Sequence, residues 1–195
     1  RTTTKLPGQN EKTAVRQWIT QLGSARGYAL VLEPADLTLA ATLLANSELH
    51  LLITHRDPAM VQNYRYILRT NGVYGTRATV HHLAAEAKQL PYVSDFANLV
   101  VDLSQAGWSQ AELHRLAAPS KGLVVRNGSS ERVPKHPDTG EWTHQYASPG
   151  NTADSQDRHI TSDLTLQWFG GPGPHRMIDR HLRGPPPLVA NGRMF

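Results

Sequence analysis

Residues 28–58, YALVLEPADLTLAATLLANSELHLLITHRDP, contain the alternation that decides the fold. The run 28–32 is short and almost wholly apolar, which is typical of a strand buried on both faces of a parallel sheet. Asp36 precedes a run of helix-forming residues at 37–45, and the apolar run 49–54 repeats the strand pattern. The segment therefore predicts a strand, a helix and a second strand in succession.

The same alternation continues on both sides of this segment. Asp57 and Pro58 have the residue types that open a helix, and Asn71–Gly72 has those that end one. The whole order predicts a doubly wound, mostly parallel Rossmann-like α/β sheet with helices on both faces. The further predicted helices lie at 11–22 and 109–117, and the further predicted strands at 78–83, 97–103 and 122–126.

Composition excludes several classes of protein. The 195 residues include no cysteine, which excludes disulfides and thiolate metal sites. No apolar run approaches the ~18 residues of a membrane span. The net charge of +4 is mild and the basic residues are not clustered, so we expect no nucleic-acid partner. Residues 1–9 have no apolar segment of the kind that a signal peptide needs.

The composition changes near residue 130, where prolines and glycines become frequent and the alternating apolar runs stop. The last segment has too few periodic apolar residues for a core of its own, so its aromatic side chains are expected to pack against another surface. That surface is either the preceding domain or a partner. The sequence therefore predicts a helical arm at 1–26, a Rossmann-like domain at 27–130 and an extended junction segment at 131–195.

Ligands of a doubly wound sheet bind where its strands end. The turn 33–37 follows the first predicted strand, and it has no glycine that would let the backbone approach a ligand. Its carboxylates, Glu33 and Asp36, and Asp57 after the second strand are the candidate cofactor-binding residues. Two interpretations stay open, because Asp36 and Asp57 also stand where helix caps are expected. The pattern nominates no catalytic residue.

The histidines raise the question of a metal site, and their spacing argues against one. His81 and His82 are adjacent on a predicted strand, so their side chains point to opposite faces. The five histidines after residue 131 match no short metal-binding motif, and we therefore expect no metal ligand. These five are His136, His144, His159, His175 and His181.

Three stretches within residues 27–103 carry a family resemblance. They are the strand 28–32, the loop 71–77, and the run Leu90-Pro91-Tyr92 followed by 96–101. Together they resemble the class I S-adenosylmethionine-dependent methyltransferases. The resemblance implies a Rossmann-like fold that binds S-adenosylmethionine at the strand ends, where Glu33, Asp36 and Asp57 would hold it.

The chain departs from that family pattern at three places. The family's turn close to Gly-Cys-Gly-Asp-Gly is replaced by Glu33-Pro34-Ala35-Asp36-Leu37. The acid expected after the third strand falls on Ala84 or Ala85, and the aspartate of the Phe-Asp-aliphatic pattern is Asn98. These departures predict a relic scaffold that has lost its S-adenosylmethionine site.

A second resemblance extends from about residue 20 to the last residue. The segments 141–144, 149–152, 166–172 and 179–181 resemble the junction of large planctomycete-type bacterial proteins, in which a methyltransferase-like domain precedes a PQQ-binding-like β-propeller. That resemblance implies a β-propeller partner on the same or a separate polypeptide. It also implies that any pyrroloquinoline quinone (PQQ) is held by the propeller, that the protein is exported to the periplasm or cell surface, and that 187–195 is the first propeller strand. The expected interaction residues are Trp142, His144, Asn151, Asp157, Trp168, Arg180, His181, Val189 and Phe195.

Three functions compete at this point. The first is a non-catalytic scaffold or docking module of a quinoprotein-like β-propeller protein. The second is an active S-adenosylmethionine-dependent methyltransferase. The third is a domain that binds another nucleotide or an acidic ligand through His55, Arg56 and Arg77 at the strand ends.

Overall fold

The computed structural model describes residues 9–102, 104, 107–159, 188–190 and 193–194. Four helices and eight strands lie within these ranges. The helices are α1 (Gln9–Leu22), α2 (Thr38–Asn46), α3 (Pro58–Thr70) and α4 (Gln110–Leu116). The strands are β1 (Arg26–Leu32), β2 (Glu48–His55), β3 (Ala78–His82), β4 (Leu99–Asp102), β5 (Leu123–Arg126), β6 (Ser129–Arg132), β7 (Val189–Ala190) and β8 (Arg193–Met194).

The first six strands form one sheet in the order β3-β2-β1-β4-β5-β6. Strands β1 to β5 are parallel, and β1 pairs with both β2 and β4, so that Leu30 lies opposite Leu52 and Val100. The strand order reverses between β1 and β4, which is the arrangement of a doubly wound sheet. The predicted fold class is therefore confirmed.

Strand β6 is antiparallel to β5 and was not predicted from the sequence. The two strands are joined at Asn127–Gly128, and Arg126 lies opposite Ser129. Asn127 has φ 50° and Gly128 has φ 80°, the positive values that a tight hairpin of this kind requires. All four residues of β6 are exposed, so no apolar alternation marks the strand. The Asn-Gly dipeptide was the available signal.

Each face of the sheet has its own apolar core. Helices α1, α2 and α3 pack on the face that contains Val31 and Ile53. Helix α4 and apolar residues of the segment 83–97 pack on the face that contains Leu30 and Val100. Consecutive residues of the central strands serve opposite cores, which is why β1 and β4 are apolar at successive positions.

Helix α3 begins and ends where its sequence predicts. Asp57 is its N-cap and accepts the N–H of Ala59 at 2.8 Å, with Pro58 at the first helical position. The helix is followed by Asn71 and by Gly72, whose φ is +70°. These local signals fix the segment that follows β2.

Helix α2 begins differently from the expectation. Its N-cap is Leu37, which makes no side-chain capping bond, so Asp36 is not the N-cap. The Asp36 carboxylate instead accepts the N–H of Thr38 at 2.8 Å from one position upstream. The residue still satisfies a free N–H of the first helical turn, which explains why the pattern resembles a cap.

Helix α4 fastens the long segment between β3 and β4. Glu112 accepts the N–H of Leu90 at 2.7 Å, and Arg115 donates to both carboxylate oxygens of Glu112 and to the carbonyls of Leu90 and Tyr92. Burial opposes ionisation of Glu112, but the hydrogen bonds from Arg115 and Leu90 outweigh it and lower the pKa of the carboxyl. The segment is therefore held by an ionised, hydrogen-bonded pair.

Contacts divide the chain into two units, one up to Pro134 and one from Lys135 onward. In the first, Val15 and Trp18 of α1 belong to the core. In the second, the backbones of Trp142 and Val189 exchange hydrogen bonds of 3.0 and 2.7 Å, and β7 pairs with β8. The predicted boundaries after residues 26 and 130 stay predictions. Among the described residues, no helix is both long and apolar enough to span a membrane.

Candidate functional site

Strands β1 to β5 are parallel, so they all end at one end of the sheet, here called the carboxyl end, and begin at the other, the amino end. The strand order reverses between β1 and β4, where Leu32 lies opposite Asp102. Ligands of doubly wound sheets bind at such a point. The residues that follow β1, β2 and β4 therefore define the candidate site.

The turn after β1 is held by hydrogen bonds with other parts of the chain. Glu33 has φ 45°, in the left-handed region that favours glycine, and its N–H donates to the carbonyl of Thr54 at 2.9 Å. Pro34 is buried, and its carbonyl accepts the hydroxyl of Tyr64 at 2.8 Å. Burial, with a smaller contribution from Asp36, raises the pKa of Tyr64 to about 12. The hydroxyl therefore keeps its proton and holds the turn in place.

All three carboxylates predicted to bind a cofactor have partners within the chain. Glu33 Oε1 lies 2.6 Å from Arg56 Nη1, and the two side chains are 13% and 23% exposed. Asp36 and Asp57 are exposed, and each accepts an N–H from the first turn of its helix. All three follow β1 or β2 at the carboxyl end of the sheet. Their role in cofactor binding stays a prediction.

Arg56 and Trp108 pack together at this end of the sheet. The Arg56 guanidinium carbon lies 4.7 Å from the centroid of the Trp108 ring, and Nη2 donates to the carbonyl of Ala87 at 2.9 Å. Trp108 is only 3% exposed. A cavity of about 520 Å³ opens beside the pair and is also lined by Gly107, Ser109 and residues 85–88.

Asp102 is the last residue of β4 and is fully buried. Its Oδ1 accepts the N–H and the hydroxyl of Ser104 at 3.2 and 2.7 Å, and its Oδ2 lies 3.6 Å from Nε of Arg126. A buried carboxylate beside the reversal of strand order can orient a donor group or hold a cation of a ligand.

Neither Asp102 nor Trp108 was predicted from the sequence as a site residue. The signal for Asp102 was a carboxylate that ends a wholly apolar strand at the ligand-binding end of the sheet. Trp108 had no local signal, because its partner Arg56 follows a different strand and only the folded sheet brings the two together.

The two histidines at the end of β3 point to opposite faces, as predicted. His81 is half-buried, and its Nδ1 lies 2.7 Å from the hydroxyl oxygen of Tyr92. His82 is exposed, with Nε2 3.0 Å from the carbonyl of Arg56. Burial, and then Arg65, lowers the pKa of His81, so this imidazole is neutral at pH 7. Burial also raises the pKa of the Tyr92 phenol.

Two residues considered for ligand binding lie at the amino end instead. Arg77 precedes β3 and donates to the carbonyls of Ser47 and Leu49 at 2.7 and 3.3 Å. The expectation that Arg77 lies at the strand ends with His55 and Arg56 is therefore wrong. Its position before the strand, not after it, was the available signal.

Asn98 also lies at the amino end, just before β4. Its Oδ1 accepts the N–H of Tyr28 at 2.9 Å, which ties the start of β4 to β1. The interpretation of Asn98 as a lost cofactor feature is therefore wrong, because the residue lies across the sheet from the end where ligands bind.

Five of the predicted interaction residues lie in the described part of the second unit. Asp157 accepts the N–H groups of Gly140 and His159 at 2.9 and 2.8 Å. Asn151 has φ 53°, a value that asparagine tolerates in turns. With Trp142, His144 and Val189, these residues form turns and bridges within the unit. The predicted residues Trp168, Arg180, His181 and Phe195 lie outside the described residues.

No family model and no curated protein matches the chain. Solved structures do match it. A Methanococcus maripaludis protein, provisionally named an S-adenosyl-L-methionine-dependent methyltransferase, has 12% identity and a TM-score of 0.50 over 61% of this chain and 57% of its own. A Galdieria sulphuraria protein, provisionally named a sarcosine dimethylglycine methyltransferase, has 11% identity and a TM-score of 0.50 over 59% and 45%. The MccD protein has 12% identity and a TM-score of 0.50 over 62% and 54%.

The chain therefore contains a Rossmann-like fold similar to the folds of these proteins. The chain spans about half the length of these proteins. At such low identity the likeness shows the fold alone, and the same fold carries many functions.

Proposed function

We propose that this methyltransferase-like domain is a non-catalytic module that serves as a scaffold for a β-propeller, on the same or a separate polypeptide. The observation that supports this most is that side chains of the protein itself pair with one another at the turn after β1. Glu33 and Arg56 form a largely buried ion pair there, and Arg56 packs on Trp108. The chain's own side chains thus pair with one another at the end of the sheet where the family's cofactor would bind.

The residues present fit S-adenosylmethionine poorly. A cofactor that approaches the turn needs a backbone without Cβ atoms and with free N–H groups. Here the N–H of Glu33 already donates to Thr54, and Pro34 has no N–H to offer. A cofactor would also have to displace Glu33 from Arg56. No reaction step through S-adenosylmethionine is therefore assigned.

The cofactor test uses isothermal titration calorimetry of the full chain with S-adenosylmethionine. We expect no measurable heat of binding at S-adenosylmethionine concentrations up to about 1 mM. A complex with a dissociation constant of about 1 mM has a binding free energy of only about 4 kcal/mol. Asp57→Ser is the matched variant, because serine keeps the helix cap and removes only the carboxylate. Micromolar binding that Asp57→Ser weakens would contradict the proposal and support an active methyltransferase.

The propeller part of the proposal rests on the resemblance of the junction segment. Trp142 and Val189 pair by backbone hydrogen bonds. Strand β7, which contains Val189, therefore contacts the segment 141–144, which carries part of the junction resemblance. In this proposal the junction docks on a propeller that holds any PQQ itself, and the assembly is exported to the periplasm or cell surface.

The partner test is a deletion. Removal of residues 185–195 from the tagged native protein should abolish co-purification of a propeller, because it removes the proposed first propeller strand. Glu48→Gln, at an exposed position outside the junction segment, is the control. Unchanged co-purification after the deletion would refute the docking role.

A further inference from the structure

The strongest unassigned feature is the cavity of about 520 Å³ at the carboxyl end of the sheet. Two buried N–H groups of its lining residues, Arg56 Nε and Trp108 Nε1, have no hydrogen-bond partner among the described residues. Buried donors without an acceptor cost free energy comparable to a lost hydrogen bond, so each such group needs an explanation.

The chemistry of these groups specifies the kind of partner that they can bind. Guanidinium and indole N–H groups only donate, so their partner must be an acceptor. Arginine in particular matches the oxygens of carboxylates and phosphates. Lys88 adds a second positive charge to the lining and Glu86 adds a negative one, while Ser109 contributes a hydroxyl. Glu33 neutralises Arg56 as long as their ion pair is closed.

Glu33 already occupies one donor of Arg56 in the way that an external anion would. Its carboxylate lies 2.6 Å from Nη1, and its backbone adopts φ 45°. A non-glycine residue in this region carries strain, and such strain concentrates at sites of ligand binding and switching.

We infer that the cavity beside Arg56 and Trp108 binds a small oxyanion, a carboxylate or a phosphate, and that Glu33 competes with this anion for Arg56. The inference goes beyond the proposed function, since it concerns a ligand other than S-adenosylmethionine. Glu33 thus occupies Arg56 through their ion pair until an anion displaces it.

The test follows the indole N–H of Trp108 in ¹⁵N–¹H spectra of the full chain, assigned with Trp108→Phe because the chain has four tryptophans. Inorganic phosphate and succinate are titrated separately at constant ionic strength. We expect one of them to shift this resonance saturably, and the tighter of the two identifies the oxyanion class. Absence of a shift with both up to about 20 mM, well above the millimolar range of weak complexes, would overturn the inference.

Glu33→Gln tests the competition. It removes the competing charge while keeping the size of the side chain, and it should tighten the dissociation constant about tenfold, which corresponds to about 1.4 kcal/mol. Glu48→Gln is the matched control, because Glu48 also lies 2.6 Å from an arginine, Arg26, but at the exposed amino end of the sheet. Equal affinities of the two variants and the parent would refute competition by Glu33.

Arg56→Gln tests the anchor and should abolish the shift of the Trp108 resonance. If that variant does not fold, the comparison of Glu33→Gln with Glu48→Gln still decides the inference. The calorimetric titration with S-adenosylmethionine is separate, so a failure of the proposed function and a failure of the oxyanion site give different results.

Discussion

The two ends of the central sheet satisfy their polar groups differently. At the amino end, Asn98 accepts the N–H of Tyr28, and Arg77 donates to two carbonyls. At the carboxyl end lie four of the six buried side-chain polar atoms that have no hydrogen-bond partner among the described residues. These four belong to Thr54, Arg56, Asp102 and Trp108.

This difference separates residues that hold the sheet together from residues available for binding. Buried polar groups in folded proteins are normally paired, and unpaired ones need a specific reason. At the amino end each named group closes the sheet on itself. At the carboxyl end these atoms without a hydrogen bond belong to residues at or after the strand ends, where a doubly wound sheet receives its ligands.

The largest effect is expected for Gly27→Ala at the amino end. Gly27 has φ +126°, and an added Cβ would clash with the Asn98 side chain that accepts the N–H of Tyr28. The strained backbone and the lost hydrogen bond should together lower the free energy of unfolding by about 3 kcal/mol, as measured by urea denaturation. The control is Gly72→Ala, which has φ +70° and no neighbour within 4 Å, and which should lose only about 1 kcal/mol.

The next effect concerns Glu112, which fastens the segment that leads from the carboxyl end back to the amino end. Because the folded pKa of Glu112 lies below its unfolded value near 4.5, its stabilisation is present above that pH and is lost as the pH falls through the folded pKa. Glu112→Gln should therefore lose about 2 kcal/mol at pH 7, since it breaks a largely buried pair with Arg115.

The pH dependence provides the check on Glu112. Urea denaturation of the parent and Glu112→Gln should give free energies that converge as the pH falls below 4.5 and through the folded pKa of Glu112. Glu131→Gln, at an exposed position, is the control. Its free energy of unfolding should match that of the parent both at pH 7 and in acid. A gap between the parent and Glu112→Gln that is as wide in acid as at neutral pH would show that the ionised pair is not the cause.

A smaller difference is expected between the two glutamate–arginine pairs of the sheet. Both have an N–O distance of 2.6 Å, but Glu33 is 13% exposed at the carboxyl end and Glu48 is 62% exposed at the amino end. Glu33→Gln should cost about 1.5 kcal/mol, because Arg56 is left largely buried with its charge unpaired. Glu48→Gln should cost at most about 0.5 kcal/mol and should be sensitive to salt. Equal costs at 0.1 M salt would remove the distinction between the two ends.

The smallest effect is the titration of His81 at the end of β3. Burial lowers its folded pKa below the unfolded 6.5, so the unfolded chain binds the extra proton and stability declines as the pH falls through 6.5. His81→Asn should weaken this decline, and the control His82→Asn, at an exposed position, should not. An NMR titration that places the pKa of His81 above 6.5 would reverse the expected sign.

The order of helices and strands and the ends of α3 were predictable because their causes are local. Apolar runs mark strands buried on both faces, and Asp57-Pro58 and Asn71-Gly72 supply a cap and a left-handed stop within a few residues. The missed hairpin at Asn127–Gly128 had an equally local signal. In contrast, Arg77 and Asn98 were misplaced because each precedes its strand, and a residue before a parallel strand lies at the amino end of the sheet.

By itself, the sequence determined the doubly wound fold and the absence of glycine from the turn after β1. Only the tertiary structure decided that Glu33 pairs with Arg56, that Arg56 packs on Trp108, and that Asp102 is buried beside the reversal of strand order. The physical reason is that elements form from neighbours along the chain, whereas the site forms where parallel strands from distant parts of the chain end side by side.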